Sequence, residues 1–442
     1  MSRPEPQSAR HILNEYMDVV CRQIGPREAH SSIRLELEDH LQDLAEAHRV
    51  QGMSETDAMR EAIKQMGDPE QIGKQFHKLY KPRWDWAMLG LLFVLLTFGL
   101  IMMYGMQLAL EPRLQQDLFL KKCLHTAGAL ALFIGFAFID FQKLKKWGWQ
   151  LYGGTVLMML LLLLSGSQVN GKPYFMLPVI RIDISTLAPY TLLLGIAGLL
   201  TTPGFRKVKL HYRLLLFIFI PALLFIKANN LSSLVIYGVT LMIVLWFAKA
   251  STKEWLSFAA ATVGCMVLLL PVLIWTGPYN LDRLTAFFYR FDDPQGSGYW
   301  TVQSMEALRS AGWWGRGFGI PLPTLPGIHT EMSFSYMVYS IGWAAGLLLI
   351  VGMLFLFQRL WQMAQAIPDS FGKLVVVTLA VLLAVPFLWA ILMSAGLLPV
   401  SGMSIPFISY GGTFTLVQFA ALGIVCSIYR QSGLMGLTVN RR

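Results

Sequence analysis

Residues 86–107 read WAMLGLLFVLLTFGLIMMYGMQ and contain no charged side chain. A helix of about 20 apolar residues is long enough to cross the hydrocarbon core of a bilayer. Nine further apolar runs of similar length follow it, at 122–140, 147–166, 187–203, 214–231, 232–249, 256–276, 334–357, 373–395 and 407–429. Inside a bilayer every backbone polar group must be satisfied by the protein itself, which favours helices. The sequence therefore predicts an all-α membrane bundle of ten transmembrane helices.

The charged residues divide the chain into two parts. The 442 residues are 55% hydrophobic and only 14% charged, whereas soluble globular domains carry about a quarter charged residues. About 27 of the charged residues lie at or before Asp85, and they sum to a net charge of about −3. The remaining residues are only about 10% charged and carry about +13. Because the basic excess belongs to the membrane part, it indicates topology and argues against nucleic acid as a partner.

Loop charges predict the orientation of the bundle. If the N-terminus is cytoplasmic, the inner loops and the tail hold about fourteen lysines and arginines, against about six in the short outer loops. The positive-inside rule then places both termini in the cytoplasm. The first residues, MSRPEPQSAR, lack an apolar stretch, so we expect no cleavable signal peptide and insertion directed by the first span.

Residues 1–82 have a helical, amphipathic pattern typical of a small cytoplasmic bundle with an accessory or regulatory role. Ser54 with Asp57 three residues later predicts a helix start, and Gly67-Asp68-Pro69 ends that helix and begins another. An acidic cluster within residues 36–43 is interpreted as a solvated helix face, not a metal site. Residues 35–76 resemble a helical module that precedes the membrane spans of bacterial permeases and sensors. The four cysteines show neither a disulfide framework nor zinc-ligand spacing.

The outer loop 277–333 is unusually long and polar for this chain. It contains four arginines and five acidic residues but no lysine. Arginine without lysine favours bidentate contacts to carboxylates or phosphates. Two interpretations stay open: a compact loop held by its own ion pairs, or a site for an anionic ligand. A divalent cation could be held by the carboxylates, although no ligand spacing indicates one.

Two glycine-rich motifs have different meanings. Trp314–Gly319 (WGRGFG) follows no predicted strand, so it is not interpreted as a dinucleotide fingerprint, and its glycines are expected to permit tight turns. Residues 406–413, PFISYGGT, place small residues and hydroxyls at the outer start of the last span. Irregular backbone at that depth is tolerated only where it is buried in protein or lines a polar cavity.

PFISYGGT, preceded by GLLPVSG at 396–402, is similar to the signature of the FtsW/RodA/SpoVE family of shape, elongation, division and sporulation proteins. The order of motifs in the outer loop agrees with this resemblance: Arg283, Asp293-Pro294, Gln303-Ser304, WGRGFG and His329-Thr330-Glu331. It covers roughly residues 86–430 and implies a membrane domain at 83–430, followed by a cytoplasmic tail at 431–442. It also implies localisation to the bacterial cytoplasmic membrane and a role in division, elongation or sporulation.

The resemblance implies an enzyme that polymerises the lipid-linked disaccharide-peptide precursor of peptidoglycan beside a single-span class B transpeptidase. Glu331 occupies the position of the family's proposed general base, an aspartate. Substrate contacts are expected from the other motif residues: Arg283, Asp293, Gln303, Ser304, Arg316, His329, Thr330, Ser409, Tyr410, Gly411 and Gly412. No cofactor is implied beyond the cation considered above.

Several positions depart from the family pattern. Glutamate replaces aspartate at Glu331, and Asn230 stands where an aspartate is expected. Paired glutamates are replaced within 339–342, a Pro-Ser-Glu stretch is replaced at 187–190, and an asparagine is replaced by Ala390. Two alternatives to the enzyme therefore stay open: a non-catalytic scaffold or precursor binder, and a flippase. Intramembrane charge is sparse, with Lys227 as the main candidate, which gives little support for ion-coupled transport.

Overall fold

The computed structural model describes residues 6–24, 27–79, 84–110, 117–169, 171–176, 181–202, 204–276 and 285–435. The chain forms two compact units, residues 85–428 and residues 1–84 with 429–442.

The N-terminal helices are α1 (Pro6–Gln23), α2 (Arg27–Val50), α3 (Glu55–Met66) and α4 (Pro69–Leu79). Their apolar stripes form one core, which includes Tyr16, Ile33 and Leu41. The predicted start of α3 is confirmed, because the Asp57 backbone N–H donates to Ser54 Oγ at 3.2 Å. Tyr16 donates a hydrogen bond to the carbonyl of Gly67, and burial raises the pKa of its phenol to about 12.

A helix lies at each of the ten predicted spans. In chain order they are α5 (Trp86–Ala109), α6 (Leu118–Ala137), α8 (Gly148–Ser165), α9 (Ile184–Thr201), α10–α11 (Leu210–Leu214 and Ile220–Lys227, joined by a π-turn at Leu215–Phe219), α12 (Leu231–Phe247), α13 (Thr252–Thr276), α16 (Trp343–Ala366), α17 (Ser370–Ser394) and α18 (Gly412–Met435). Shorter helices are α7 (Phe141–Lys146), α14 (Tyr299–Ser310) and α15 (Ser333–Ile341).

Within the described residues, eight helices are long and apolar enough to cross a membrane, and α12 is a shorter apolar helix. Large apolar side chains such as Phe93, Leu164 and Leu348 are more than two-thirds exposed on these helices, as lipid-facing side chains are. The architecture is therefore an all-α, multi-pass membrane bundle. The exact number of ten crossings stays a prediction.

The predicted boundaries of two spans are wrong. The run 334–357 is divided at Gly342, which has φ +92° and separates α15 from α16. A Cβ on Gly342 would clash with the carbonyl oxygen of Trp313, so the backbone of the outer loop packs directly against this break. The last span begins at Gly412 and not at residue 407, because the preceding residues are non-helical.

A small antiparallel sheet was not predicted. Strands β1 (Ser167–Val169), β2 (Lys172–Met176) and β3 (Arg181–Ile182) lie between α8 and α9 in the order β1-β2-β3. Ser167 pairs with Tyr174 and Phe175 pairs with Ile182. Strands this short carry too little alternation to be recognised between two long apolar runs.

Candidate active site

The PFISYGGT segment forms a strained turn before α18. Phe407 has φ +69°, a conformation that side chains other than glycine rarely adopt. Its backbone N–H donates to Gln418 Oε1 at 3.2 Å, and its carbonyl lies against α5 at Gly99, where a Cβ would come within 2.5 Å of the oxygen. The predicted irregular backbone is therefore present and is buried in protein. Strain of this kind persists only where the surroundings hold it.

A buried lysine supports the same turn from α6. Lys122 is 1% exposed, and its Nζ donates to the carbonyl of Ser409 at 2.8 Å and to Thr415 Oγ1 at 3.2 Å. Both acceptors are uncharged. The sequence predicts Lys227 as the main candidate for an intramembrane charge, but Lys227 is exposed. Lys122 was overlooked because it lies at the edge of an apolar run, where a lysine is expected to reach the interface.

The turn holds both sides of Glu331. The Tyr410 backbone N–H donates to the carbonyl of His329 at 2.7 Å, two residues before Glu331. Ser409 Oγ and Ser333 Oγ share a hydrogen bond of 2.6 Å, two residues after it. The signature and the His-Thr-Glu motif, which are about 80 residues apart in sequence, are thus joined by direct hydrogen bonds.

Tyr410 is the aromatic centre of this cluster. Its ring makes edge contacts with His329, at 6.1 Å between centroids, and with His125 of α6, at 5.9 Å. Burial lowers the pKa of His329, which favours its neutral form at pH 7. Burial raises the pKa of the Tyr410 phenol, while the charge of Arg181 acts in the opposite direction, so the hydroxyl stays protonated.

Glu331 lies beside the exposed Gly402. A Cβ on this exposed glycine would lie 3.3 Å from Ser232 Oγ, 3.4 Å from Lys172 Nζ and 3.8 Å from Glu331 Oε1. The absence of a side chain at residue 402 therefore leaves room beside a carboxylate, an ammonium group and a hydroxyl. Lys172 and Ser232 were not among the predicted site residues, because they come from distant segments with no motif of their own.

A polar network joins the starts of α9 and α12 near the same turn. Asp183 accepts from the Thr186 backbone N–H at 3.0 Å and from Ser185 Oγ at 2.6 Å. Asn230 Nδ2 donates to Ser185 Oγ at 2.8 Å, and Asn230 Oδ1 caps α12. The Asp183 backbone N–H donates to Thr413 Oγ1 at 3.4 Å. Asn230 therefore performs a structural role that needs both an amide donor and an amide acceptor.

The other predicted residues occupy varied places. Thr330 donates to the carbonyl of Gly327, and Gly412 lies against the ring of His125. Asp293 accepts from the backbone N–H groups of Gly296 and Ser297 in an exposed turn. Ser304 is buried and contacts Ser335 Oγ and the carbonyl of Ser394. Arg316 donates a hydrogen bond to the carbonyl of Ser310. Gln303 is half-buried and Gly411 is half-buried. Arg283 lies outside the described residues.

WGRGFG packs against the end of α15. Gly315, Gly317 and Gly319 all have positive φ, which confirms the predicted tight turns. The Arg316 backbone N–H donates to the carbonyl of Tyr339 at 2.9 Å, and that of Gly317 donates to the carbonyl of Ser340 at 3.0 Å. The segment 339–342 stands where the resemblance leads one to expect paired glutamates. Its backbone carbonyls bind the WGRGFG loop.

No metal site is found in the part of the chain that the structure describes. There, no three histidine, cysteine, aspartate or glutamate side chains come together as metal ligands do.

Comparison with known proteins agrees with these features. The model of the FtsW/RodA/SpoVE family, described as "Cell cycle protein", matches residues 85–433. A relative from a Geobacter species, named "Probable peptidoglycan glycosyltransferase FtsW", is 28% identical over 367 residues, which cover 78% of this chain and 96% of the relative. A relative of the same name from Escherichia coli is 27% identical over 361 residues, which cover 78% of this chain and 86% of the relative.

Solved structures share the fold. One is described as "Structural coordination of polymerization and crosslinking by a peptidoglycan synthase complex", with a TM-score of 0.64, 22% identity, and coverage of 79% of this chain and 98% of that chain. Another is the crystal structure of the rod shape determining protein RodA of Thermus thermophilus, with a TM-score of 0.59, 20% identity, and coverage of 79% and 97%. The family match over residues 85–433, together with a fold shared with solved structures, leads to one conclusion: this chain belongs to the FtsW/RodA/SpoVE family.

Proposed function

We propose that this protein is a peptidoglycan glycosyltransferase of the cytoplasmic membrane that polymerises a lipid-linked disaccharide-peptide precursor. The family match and the names of its relatives support this reaction class. The observation that carries the proposal is the position of Glu331, whose carboxylate lies beside the exposed Gly402 and whose flanking residues are held by the signature turn.

In the proposed reaction Glu331 is the general base. Its carboxylate takes the proton from a sugar hydroxyl of the acceptor as that oxygen bonds to the anomeric carbon of the donor. The bond between this carbon and the lipid diphosphate breaks, and the diphosphate leaves with the electron pair. A positioned carboxylate contributes about 10²–10⁴-fold to such a step. Because burial favours neutral His329 and protonated Tyr410, neither of these neighbours carries a charge beside Glu331.

The orientation and the partner are part of the same proposal. With both termini in the cytoplasm, the loop that carries Glu331 faces the side on which peptidoglycan is made. One structural relative is described as part of a peptidoglycan synthase complex that coordinates polymerization and crosslinking. This description supports a class B transpeptidase as the partner of the membrane unit. The N-terminal helical unit is proposed to be regulatory.

A scaffold function is the second candidate. Asn230 and the segment 339–342 have structural hydrogen bonds where the family pattern has acidic residues. A chain that bound the precursor without polymerising it would keep the signature turn and lose such groups.

The test uses the full-length protein in lipid nanodiscs with a class B transpeptidase and a labelled lipid-linked precursor. Glu331→Gln is expected to lower the rate of glycan polymerisation by about 100-fold or more, and Glu331→Asp to retain part of the activity. The matched control is Glu306→Gln, since Glu306 is an exposed glutamate of the same outer loop. Polymerisation at the wild-type rate by Glu331→Gln would overturn the base assignment. Binding of precursor without polymer by the wild-type protein would favour the scaffold.

A further inference from the structure

We propose that Lys172 of the β-hairpin is a positioning residue for Glu331, which it holds ionised and turned toward the space above Gly402. The inference rests on the proposed function, because it concerns the base of that reaction. It assigns a role to a residue that no sequence motif marks.

Lys172 Nζ and Glu331 Oε1 lie 3.4 Å and 3.8 Å from one and the same point, the position of a Cβ on Gly402. The two charged atoms are therefore at most about 7 Å apart, and a nearby opposite charge favours the ionised form of a carboxylate. Gly402 is exposed, so the point that both groups border lies at the protein surface.

The hairpin fixes Lys172 with respect to the bundle. Lys172 is the first residue of β2 and pairs with Val169 of β1, across a turn in which Gly171 has φ +74°. The carbonyl of Gly171 accepts a hydrogen bond of 3.1 Å from Asn229 Nδ2, in the turn between α11 and α12. The lysine is therefore anchored at its backbone, close to Ser232 at the start of α12.

Other groups near the site differ from Lys172 in charge or in position. His329 on the same loop is favoured in its neutral form, and Tyr410 of the signature is a protonated phenol. Behind the signature, Lys122 is bound to Ser409 and Thr415, with His125 beside Tyr410. Arg181 and Asp183 are opposite charges that both act on Tyr174. Lys172 differs from these groups because its ammonium lies, like the Glu331 carboxylate, within 4 Å of the Cβ position of Gly402.

The first measurement does not depend on activity. A hydrophobic carbodiimide reacts with protonated carboxyl groups, so labelling of Glu331, followed by peptide mass spectrometry, falls as the pH rises through its ionisation. Removing a nearby cation disfavours the ionised form. Lys172→Met is therefore expected to raise the midpoint of labelling by about one pH unit, whereas Lys172→Arg keeps it near the wild-type value. Lys207→Met is the control, because Lys207 is an exposed lysine beyond the far end of α9.

The second measurement is the pH dependence of polymerisation. The acidic limb of the profile is expected to move upward by the same amount in Lys172→Met and to return in Lys172→Arg, with the melting temperature unchanged in both variants. An unchanged labelling midpoint in a folded Lys172→Met protein overturns the inference, even if Glu331→Gln abolishes polymerisation. If the midpoint moves but the wild-type protein makes no polymer, the charge coupling stands and the proposed enzymatic function fails.

Discussion

At the scale of single residues, Lys122 is a buried charge whose hydrogen bonds stabilise the signature turn. Removing an ammonium group from water costs several kcal/mol, and the two acceptors of Lys122 are a carbonyl and a hydroxyl. This cost is offset by a fixed Ser409, whose hydroxyl contacts Ser333 and whose neighbour Tyr410 contacts His329. Lys122 is thereby connected, through Ser409 and Ser333, to the segment that carries Glu331.

Lys122→Met is expected to lower polymerisation by about tenfold or more while the protein remains folded. In this variant the carbonyl of Ser409 loses its donor, at a cost of about 1–3 kcal/mol. Removal of the buried charge is stabilising and compensates for this cost. Polymerisation rates and melting temperatures in nanodiscs check this expectation. Lys121→Met is the matched control, since this adjacent lysine is exposed. Wild-type activity in Lys122→Met would contradict the role of Lys122 in holding the turn.

At the scale of elements, the π-turn between α10 and α11 illustrates how one proline is accommodated. Pro221 has no N–H, so it cannot donate to the carbonyl of Phe217 four residues earlier. That buried carbonyl accepts a hydrogen bond of 2.6 Å from the Tyr237 hydroxyl of α12 instead. The Tyr152 hydroxyl of α8 bonds the neighbouring carbonyl of Leu216. Two tyrosines from two helices thus satisfy the groups that the irregular turn exposes.

Tyr237→Phe is expected to lower the free energy of unfolding by about 1–3 kcal/mol, because it leaves the Phe217 carbonyl buried without a donor. Thermal or denaturant unfolding in detergent measures the change. Tyr212→Phe serves as the control, since Tyr212 belongs to α10 and is exposed. Equal stability of the two variants would mean that the hydroxyl of Tyr237 is replaceable by another donor.

The helices were predictable from sequence to a greater extent than the connections. Long apolar runs require helices, and all ten runs contain one. The division at Gly342 was not predictable, since it depends on the approach of the Trp313 backbone from another part of the loop. Motifs identified His329, Glu331, Ser409 and Tyr410. They did not identify Lys172 or Ser232, because only the folded chain brings those two segments beside Gly402.

At the scale of the whole molecule, the charge distribution separates two units with different requirements. The polar N-terminal unit has a core of its own, which includes Val20, Leu37 and Ala58. The membrane unit keeps few charges, and several of them are committed to specific pairs. Asp85 caps α5 and binds Arg359 Nη2 at 2.6 Å, and Arg213 binds Glu254 at 2.6 Å. Orientation is therefore expected to depend on the remaining loop lysines and arginines of the membrane unit.

Deletion of residues 1–80 is expected to leave membrane insertion and topology unchanged. The excess of basic residues in the predicted cytoplasmic loops persists without the N-terminal unit, and this excess sets the orientation. Reporter fusions at the C-terminus and within the outer loop measure the topology of the truncated and full-length proteins. An inverted pattern in the truncated protein would show that the N-terminal unit directs insertion.

The bond between Lys122 and Ser409 also has a consequence for biogenesis. The two residues are 287 positions apart, so a ribosome delivers α6 to the membrane long before the acceptors of its lysine exist. During that interval the ammonium group is a charge without its final partners, and such charges are costly in a bilayer. Completion of the last span relieves this cost. The same bond that shapes the candidate active site thus distinguishes a finished chain from a truncated one, which gives membrane quality control a physical feature to recognise.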